Sequence, residues 1–160
     1  MTRALLAVAM AGLSGLGTSC QFVQSGEDAS GKADTPSALL QMKASSSKAR
    51  AVEDYNRSVS TAASSGEEWP RDALLVARRF SSWHSERVSA WQMEGKGERP
   101  SLYHIVGIAD GFLDDSVRGE RLELVLERGA DEVWQVTSAE ASIRCWPERG
   151  HTGYGSEPCR

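Results

Sequence analysis

The chain has few of the side chains from which metal and catalytic sites are usually built. Among its 160 residues there are only three cysteines and three histidines, and the histidines, His84, His104 and His151, lie far apart in the sequence. No HExxH motif and no paired Cys/His spacing accompanies them, so no metal site is predicted. No serine lies in a nucleophile-elbow pattern, and a hydrolase of that class is therefore not indicated.

Basic residues are also too few to indicate a nucleic-acid partner. The 18 lysines and arginines are outnumbered by 22 aspartates and glutamates, which gives a net charge of −4 at pH 7. Such a balance provides no basic footprint for a nucleic acid and no polybasic patch for anionic lipids. We therefore predict no nucleic-acid partner and no membrane contact through charge.

No apolar run reaches the length of about 20 residues that a membrane-spanning helix needs. The longest run, residues 4–16, follows Arg3 and precedes small residues at positions 17–19 and then Cys20. A basic residue, an apolar run and small residues in this order are typical of a secretory signal peptide. The segment up to Cys20 resembles the signal peptides of bacterial lipoproteins.

The resemblance to lipoproteins implies where the mature chain begins and how it is held. In that family the signal peptide is removed just before the cysteine, which becomes the acylated first residue. Residues 1–19 would thus be the signal peptide, and Cys20 would anchor the chain to a membrane. Gln21, rather than an aspartate, follows Cys20, and the resemblance then implies an outer-membrane lipoprotein that faces the periplasm. The alternative is ordinary signal cleavage at the same bond, which would give a secreted protein.

Three cysteines in an exported chain leave one unpaired unless chemistry removes it. Acylation of Cys20 would do so and leave Cys145 and Cys159, which are expected to form a disulfide in an oxidising compartment. If the chain stayed in the cytoplasm, both would remain free thiols. The glycine-rich residues 150–155 do not open a helix, so they predict a tight turn closed by the disulfide and no cofactor-binding loop.

The composition changes near residue 67 and divides the chain. Residues 21–67 are rich in serine, whereas all five tryptophans fall later: Trp69, Trp83, Trp91, Trp134 and Trp146. Large aromatic residues contribute much of the buried area of a small domain, so the folded unit is expected over residues 68–160. The polar residues 20–34 predict a flexible tether, and residues 35–63 a helix or stalk.

Residues 35–63 carry a helical pattern. Thr35 is a candidate N-cap, a proline follows it, and apolar residues recur every three or four positions from Leu39 to Ala62. Serines at 45–47 interrupt this apolar face. Because the face is thin, the helix needs a surface to pack on, most simply the sheet that follows. A coiled-coil stalk is the alternative.

The rest of the chain carries mostly strand patterns. Residues 86–94 and 101–109 predict two strands joined by a hairpin loop. In residues 120–128, leucines at every second position predict a strand with one buried face. Residues 72–80 fit either a short helix or a buried strand, and we favour the helix.

The last predicted strand, residues 133–145, changes the phase of its alternation. Trp134 and Val136 hold even positions, whereas the apolar residues from Ala139 onward hold odd ones. A β-bulge near residues 137–138 would return both sets to the same side of the sheet. The prediction is therefore an α+β fold with an N-terminal helix packed on a curved antiparallel sheet of four to five strands. Its shape would be similar to the cystatin-like rolls, an analogy that implies no function.

An acidic loop between two predicted strands is a candidate functional loop. It contains Asp110, Asp114 and Asp115, and His151 is the remaining candidate. The spacing of the aspartates matches no calcium-binding loop, so again no metal is predicted. Asp114 or Asp115 is expected to cap a turn by accepting hydrogen bonds from backbone N–H groups.

A second candidate surface combines arginines with aromatic residues: Arg71, Arg78, Arg79, Arg87, Trp83 and Trp91. Acidic residues are interleaved with these arginines, so an ordinary solvated face is the simpler interpretation. If the surface has a function, it favours an anionic polymer of the cell envelope over a nucleic acid.

The C-terminal half, in its residues 114–117, 134–136 and 145–159, resembles an uncharacterised domain of bacterial exported proteins. That resemblance implies neither an activity nor a ligand. With the lipoprotein-type signal, it leads to the hypothesis of a non-enzymatic binding or interaction module whose partner is an envelope protein or polymer. A small envelope hydrolase and a structural subunit of an envelope complex are the alternatives.

Overall fold

The computed structural model describes residues 34–84 and 86–160. The predicted signal peptide, Cys20 and nearly all of the predicted tether lie outside these residues. Within them the chain forms helices and an antiparallel sheet that does not close on itself, which confirms the predicted α+β fold. The strands of this sheet are β1 (Lys48–Ala49), β2 (Val88–Gly95), β3 (Leu102–Asp110), β4 (Val117–Arg128) and β5 (Trp134–Cys145).

Strands β2 to β5 follow one another across the sheet, and β1 adds to the outer side of β5. The order is β1-β5-β4-β3-β2, and every neighbouring pair is antiparallel. The β2–β3 hairpin confirms the predicted one. In this register Trp91 of β2 lies opposite Gly107 of β3, which in turn lies opposite Leu122 of β4.

The predicted β-bulge is present at Thr137. Val125 of β4 pairs with Ser138, and the next residue of β4 pairs with Val136, so Thr137 is the extra residue of β5. The insertion returns Val136 and Ala139 to the same face of the sheet, where both are buried.

The helices of the described residues all precede β2. They are α1 (Pro36–Gln41), α2 (Glu53–Ser64) and α3 (Ala73–Ser81), with a 3-10 turn at Trp69–Arg71. α3 confirms the helix favoured for residues 72–80. Asp72 caps it, because its carboxylate accepts hydrogen bonds from the N–H groups of Leu74 and Leu75. None of the helices in the described residues is long and apolar enough to cross a membrane.

The single helix predicted over residues 35–63 is wrong in its middle. Thr35 caps α1 as expected, but α1 has only six residues and α2 begins at Glu53. Between them, the Ser45 N–H donates to the Tyr154 carbonyl at 2.9 Å, and β1 pairs with β5. These tertiary hydrogen bonds outweigh the weak helix preference of a serine run.

One face of the sheet, which we call the helix face, carries the main core. Helices α2 and α3 pack on it, so that Val59 and Phe80 lie in the same buried cluster as Leu122 and Leu124 of β4. Burial of such side chains is the main favourable contribution to folding. Helix α2, which is the second half of the predicted N-terminal helix, therefore covers the helix face together with α3.

The opposite face of the sheet is covered in part by residues 34–42, which include α1. We call these residues the strap and this face the strap face. Leu39 of the strap is fully buried beside Ile108 of β3 and Tyr154 of the C-terminal loop. Ile105 of β3 lies in the core of the helix face, and residues three apart in a strand point to opposite sides. The two parts of the predicted helix therefore pack on opposite faces.

Candidate functional site

The residues of the predicted functional loop have separate roles in the structure. Asp110 is the last residue of β3 and is only 5% exposed. Asp114 and Asp115 lie in the exposed turn between β3 and β4, and His151 lies in the C-terminal loop. Asp110, Asp114 and His151 bond to three different sets of neighbours, so they do not make up one site.

Asp110 belongs to a buried charge cluster on the strap face. Arg118 donates to Asp110 Oδ2 at 3.2 Å, and Arg144 Nε lies 3.7 Å from Asp110 Oδ1. The same two arginines lie 3.7 Å and 2.8 Å from a carboxylate oxygen of Asp34. The tether predicted for residues 20–34 therefore extends one residue too far, because buried arginines bind Asp34 to the sheet.

A third arginine, Arg121, extends this cluster. It is 7% exposed and donates to the Leu40 carbonyl of the strap at 3.1 Å and to Glu123 at 2.9 Å. Burial of a charged group is unfavourable unless the group is paired, so these bonds offset the cost of burying the arginines. We call Arg118, Arg121 and Arg144 the arginine seam. Its contacts fasten the strap to the sheet, which is a structural role.

Asp114 has the capping role that the sequence predicts. Its Oδ1 accepts hydrogen bonds from the N–H groups of Val117 at 2.6 Å and Ser116 at 2.7 Å. These two donors hold the pKa of the Asp114 carboxyl below its usual range. The acid thus builds a turn. In the part of the chain that the structure describes, no three His, Cys, Asp or Glu side chains are placed to hold a metal ion.

His151 is occupied by its own loop. Its Nε2 lies 2.8 Å from the Glu157 carbonyl and its Nδ1 lies 2.7 Å from the Gly153 carbonyl. Two carbonyl oxygens are both satisfied only by the doubly protonated ring, and they therefore raise the pKa of His151. His104 lies six residues before Asp110 in β3, which separates the two by about 20 Å. Neither histidine is thus arranged with Asp110 as an acid–base pair.

Cys145 and Cys159 are bonded to each other, with their Cα atoms 5.6 Å apart. The predicted disulfide is therefore present, and it ties the C-terminal loop to the end of β5. Gly150 adopts a φ of +146°, and a Cβ atom there would lie 2.8 Å from Cys145 Sγ. The loop needs glycine at this position both for its backbone angle and for the space beside the sulfur.

A groove lined by two tryptophans lies between the end of α3 and the first half of β2. Its volume is about 240 Å³. We call it the tryptophan groove, and the residues that line it are Arg78, Ser81, Trp83, Glu86, Ser89 and Trp91. It lies at the edge of the sheet formed by β2, on the side that α3 covers.

Trp83 and Trp91 form the aromatic wall of the tryptophan groove. Their ring centroids are 5.0 Å apart and their planes are inclined by 34°, and both residues are partly exposed. The chain reaches this arrangement because Ser82 ends α3 in the left-handed conformation, with a φ of 55°. Such a residue stops a helix and redirects the chain, which here places Trp83 against β2.

Two contacts hold the indoles in place. The Trp83 Nε1–H donates to Glu120 at 2.6 Å, and Arg50 pairs with the same carboxylate at 3.3 Å. Trp91 lies directly over Gly107 of β3, where a Cβ atom would collide with the six-membered ring of the indole. Side chains fixed in this way lose little conformational freedom when a ligand binds.

The polar side chains of the tryptophan groove carry balanced charge. Arg78 supplies a cation and Glu86 an anion, while the hydroxyl groups of Ser81 and Ser89 lie beside them. Glu86 Oε2 is buried and has no hydrogen-bond partner among the described residues. A buried acceptor without a partner is unfavourable, so rotation of the Glu86 carboxylate toward a hydrogen-bond donor in the groove would remove that cost.

A second groove, of about 470 Å³, shares Arg78 with the tryptophan groove. Trp69 and Leu75 are among the residues that line it, and Leu75 is 40% exposed. The Arg79 guanidinium lies over the Trp69 ring, 4.5 Å from its centroid. The two grooves therefore have Arg78 in common, and each is lined by at least one tryptophan.

The sequence suggested part of this site and missed the rest. Of the predicted arginine and aromatic surface, Arg78 lines the groove together with both tryptophans, whereas Arg79 packs on Trp69. Glu120 and Gly107, which fix the indoles, were not singled out. A glycine inside an apolar strand often marks the close approach of another group, and that signal points to Gly107.

Comparison with protein-family models, with curated protein sequences and with solved structures found no match to this chain. The resemblances to bacterial lipoproteins and to an exported C-terminal domain therefore stay predictions.

Proposed function

We propose that this protein is an exported, lipid-anchored binding module of the bacterial cell envelope. In this proposal Cys20 carries the acyl anchor, the outer membrane is its location, and the tryptophan groove holds an envelope component. The observation that carries the binding role is the pair of partly exposed indoles, Trp83 and Trp91, held in place in a groove that is also lined by Arg78 and Glu86. Most ligand sites combine preformed aromatic surfaces with a few placed polar groups in this way.

The disulfide supports export, because Cys145–Cys159 pairing is favoured in the oxidising compartments of the envelope. The role of Glu120 supports binding over catalysis. Its carboxylate is engaged by Trp83 and Arg50, so it serves to position the aromatic wall. The occupied ring nitrogens of His151 are a second reason to favour binding.

The test is retention of the full-length protein on isolated envelope fragments. The protein and the envelope fragments are kept in a detergent that extracts lipids, so that the acyl anchor cannot account for the retention. We expect the parent protein to sediment with the fragments and a Trp83→Ala, Trp91→Ala variant to stay in solution. Trp146→Ala is the matched control, since Trp146 is also partly exposed but lies after β5, outside the groove.

Two outcomes would count against the proposal. Equal retention of the parent and the groove variant would show that the groove has no binding role. Retention of none of the proteins would show that no envelope component is bound. Circular dichroism of each variant establishes that loss of retention comes from the groove and not from unfolding.

A further inference from the structure

We infer that the ligand of the tryptophan groove is an uncharged, hydroxyl-rich sugar ring within a longer glycan chain. This inference rests on the proposed binding function and names its ligand class. The first reason is the aromatic wall of Trp83 and Trp91. One face of Trp91 packs on Gly107, so the exposed remainder of the two electron-rich indoles is the surface that would attract the weakly positive C–H groups on the flat side of a pyranose ring.

The second reason is the mixture of donors and acceptors around the indoles. The Arg78 guanidinium only donates hydrogen bonds, and the Glu86 carboxylate only accepts them. A sugar hydroxyl does both, so a ring that carries several hydroxyl groups offers hydrogen-bond partners to Arg78 and to Glu86. Glu86 Oε2 is covered and has no partner among the described residues, so a sugar hydroxyl would bond to this carboxylate once it turns toward the groove.

The third reason is the charge balance of the groove. A phosphate or carboxylate bound there would be attracted by Arg78 and repelled by Glu86, and the reverse holds for an ammonium group. The nearby Glu120 and Arg50 also pair with each other at 3.3 Å. The groove therefore favours a neutral ligand over the anionic polymer that the arginines alone suggest.

The size of the grooves indicates a chain of rings. At about 240 Å³, the tryptophan groove is smaller than the roughly 300–1,000 Å³ typical of drug-sized ligands, so it fits a single ring. The second groove shares Arg78 with the tryptophan groove, and its volume of about 470 Å³ has room for further rings. A longer oligosaccharide should therefore bind more tightly than a single sugar.

The experiment is calorimetric titration of the full-length protein with three sugar probes of different charge. They are a neutral β-1,4-linked N-acetylglucosamine hexamer, its cationic de-acetylated form, and an anionic hyaluronan hexasaccharide. We expect the neutral hexamer to bind most tightly, and free N-acetylglucosamine to bind at least about ten-fold more weakly than the hexamer. Tighter binding of either charged probe would overturn the neutral-ligand inference.

Variants connect the binding to the groove. Trp83→Ala and Trp91→Ala should each weaken binding of the neutral hexamer by about ten-fold, and Trp146→Ala should leave it unchanged. Gly107→Ala tests positioning, because it displaces Trp91 without altering any group that touches the ligand. If Gly107→Ala does not fold, Glu120→Leu serves instead, since it removes the acceptor that fixes Trp83.

The outcomes separate this inference from the proposed function. If no sugar binds but retention on envelope fragments still depends on Trp83 and Trp91, the ligand class is wrong and the binding module stands. Loss of that retention after protease treatment of the fragments would identify a protein partner and overturn the sugar inference. If the neutral hexamer is shortened during the titration, the protein is a hydrolase, and the non-enzymatic part of the proposed function fails.

Discussion

Several charged side chains of this protein are important for stability because they are buried. Arg144 is 3% exposed and Asp110 is 5% exposed, although both are charged. Burial of a charge is costly, and removal of its partner leaves that cost uncompensated. The strap-face charges are therefore more important for stability than the many exposed ion pairs.

A substitution in this cluster tests that argument. Asp110→Asn should lower the free energy of unfolding by about 3–5 kcal/mol, because Arg118 and Arg144 lose a buried counter-charge. Glu68→Gln is the control, since it removes only an exposed pair with Arg71 and should cost less than about 1 kcal/mol. Urea unfolding measures both. Similar losses in the two variants would show that burial of Asp110 does not matter.

His151 predicts a pH dependence of stability. Its pKa in the folded protein is raised above 6.5, first by the Glu157 carbonyl and then by the Gly153 carbonyl. The stabilisation by protonated His151 is therefore fully present below pH 6.5 and is lost as pH rises through the raised pKa. The difference in unfolding free energy between the parent and His151→Ala should shrink over this range. A difference that stays constant with pH would contradict the two-carbonyl arrangement.

Some residue roles follow from local sequence and others do not. Asp114 caps a turn within three residues of itself, so the sequence alone predicts the bond. The contact of Trp83 with Glu120 joins residues 37 apart. It depends on the left-handed Ser82 and on the register of β4, which no local pattern specifies.

For whole elements, the alternation of apolar and polar residues predicted the strands correctly, whereas helical spacing did not predict where the helices within residues 35–63 begin and end. The leucines of β4 and the phase change in β5 predict both the strands and the bulge at Thr137, because a buried face forces a period of two. The stretch from Thr35 to Ala62 has mostly helical spacing, interrupted by serines at 45–47, yet its middle pairs with β5. The residues that pair with β5 are far from it in the sequence, so a local sequence pattern does not predict the pairing.

Truncations test the role of the strap. Deletion of residues 21–33 should leave the unfolding free energy nearly unchanged, because that Ser/Gly-rich composition contributes little buried area. Deletion of residues 21–42 should be strongly destabilising, since it removes Asp34 and the fully buried Leu39. Leu39→Ala alone should cost about 2–5 kcal/mol.

The matched control for the strap is Leu113→Ala, because Leu113 is 75% exposed. That variant should unfold like the parent. Thermal and urea unfolding of the parent and the four variants decide the matter. If both truncations unfold alike, the strap does not stabilise the sheet.

The disulfide is a second element-scale constraint. It closes a loop with a sequence separation of 14, for which chain entropy gives about 3 kcal/mol. A Cys145→Ser, Cys159→Ser variant should lose stability of that order, and limited proteolysis should cut its C-terminal loop first. The parent protein treated with a reductant should behave in the same way as the variant. Free thiols at both positions in the exported protein would contradict the pairing.

At the scale of the whole molecule, the arginine seam fastens the strap to the sheet. The strap begins at Asp34, only 14 residues after Cys20, and it is held by buried arginines. A lipid at Cys20 would therefore be attached 14 residues before a segment that is bound to the sheet.

The anchor itself can be tested by cell fractionation. If Cys20 is acylated, the parent protein should be found in the outer membrane, and Cys20→Ala should either be released into the soluble periplasm or keep its signal peptide. Cys145→Ala is the control, since loss of the disulfide should lower stability without moving the protein between fractions. Intact mass of the mature chain gives the direct answer. A mature N-terminus at Cys20 without acyl chains would leave the protein secreted, and an acylated protein confined to the inner membrane would contradict only the outer-membrane location.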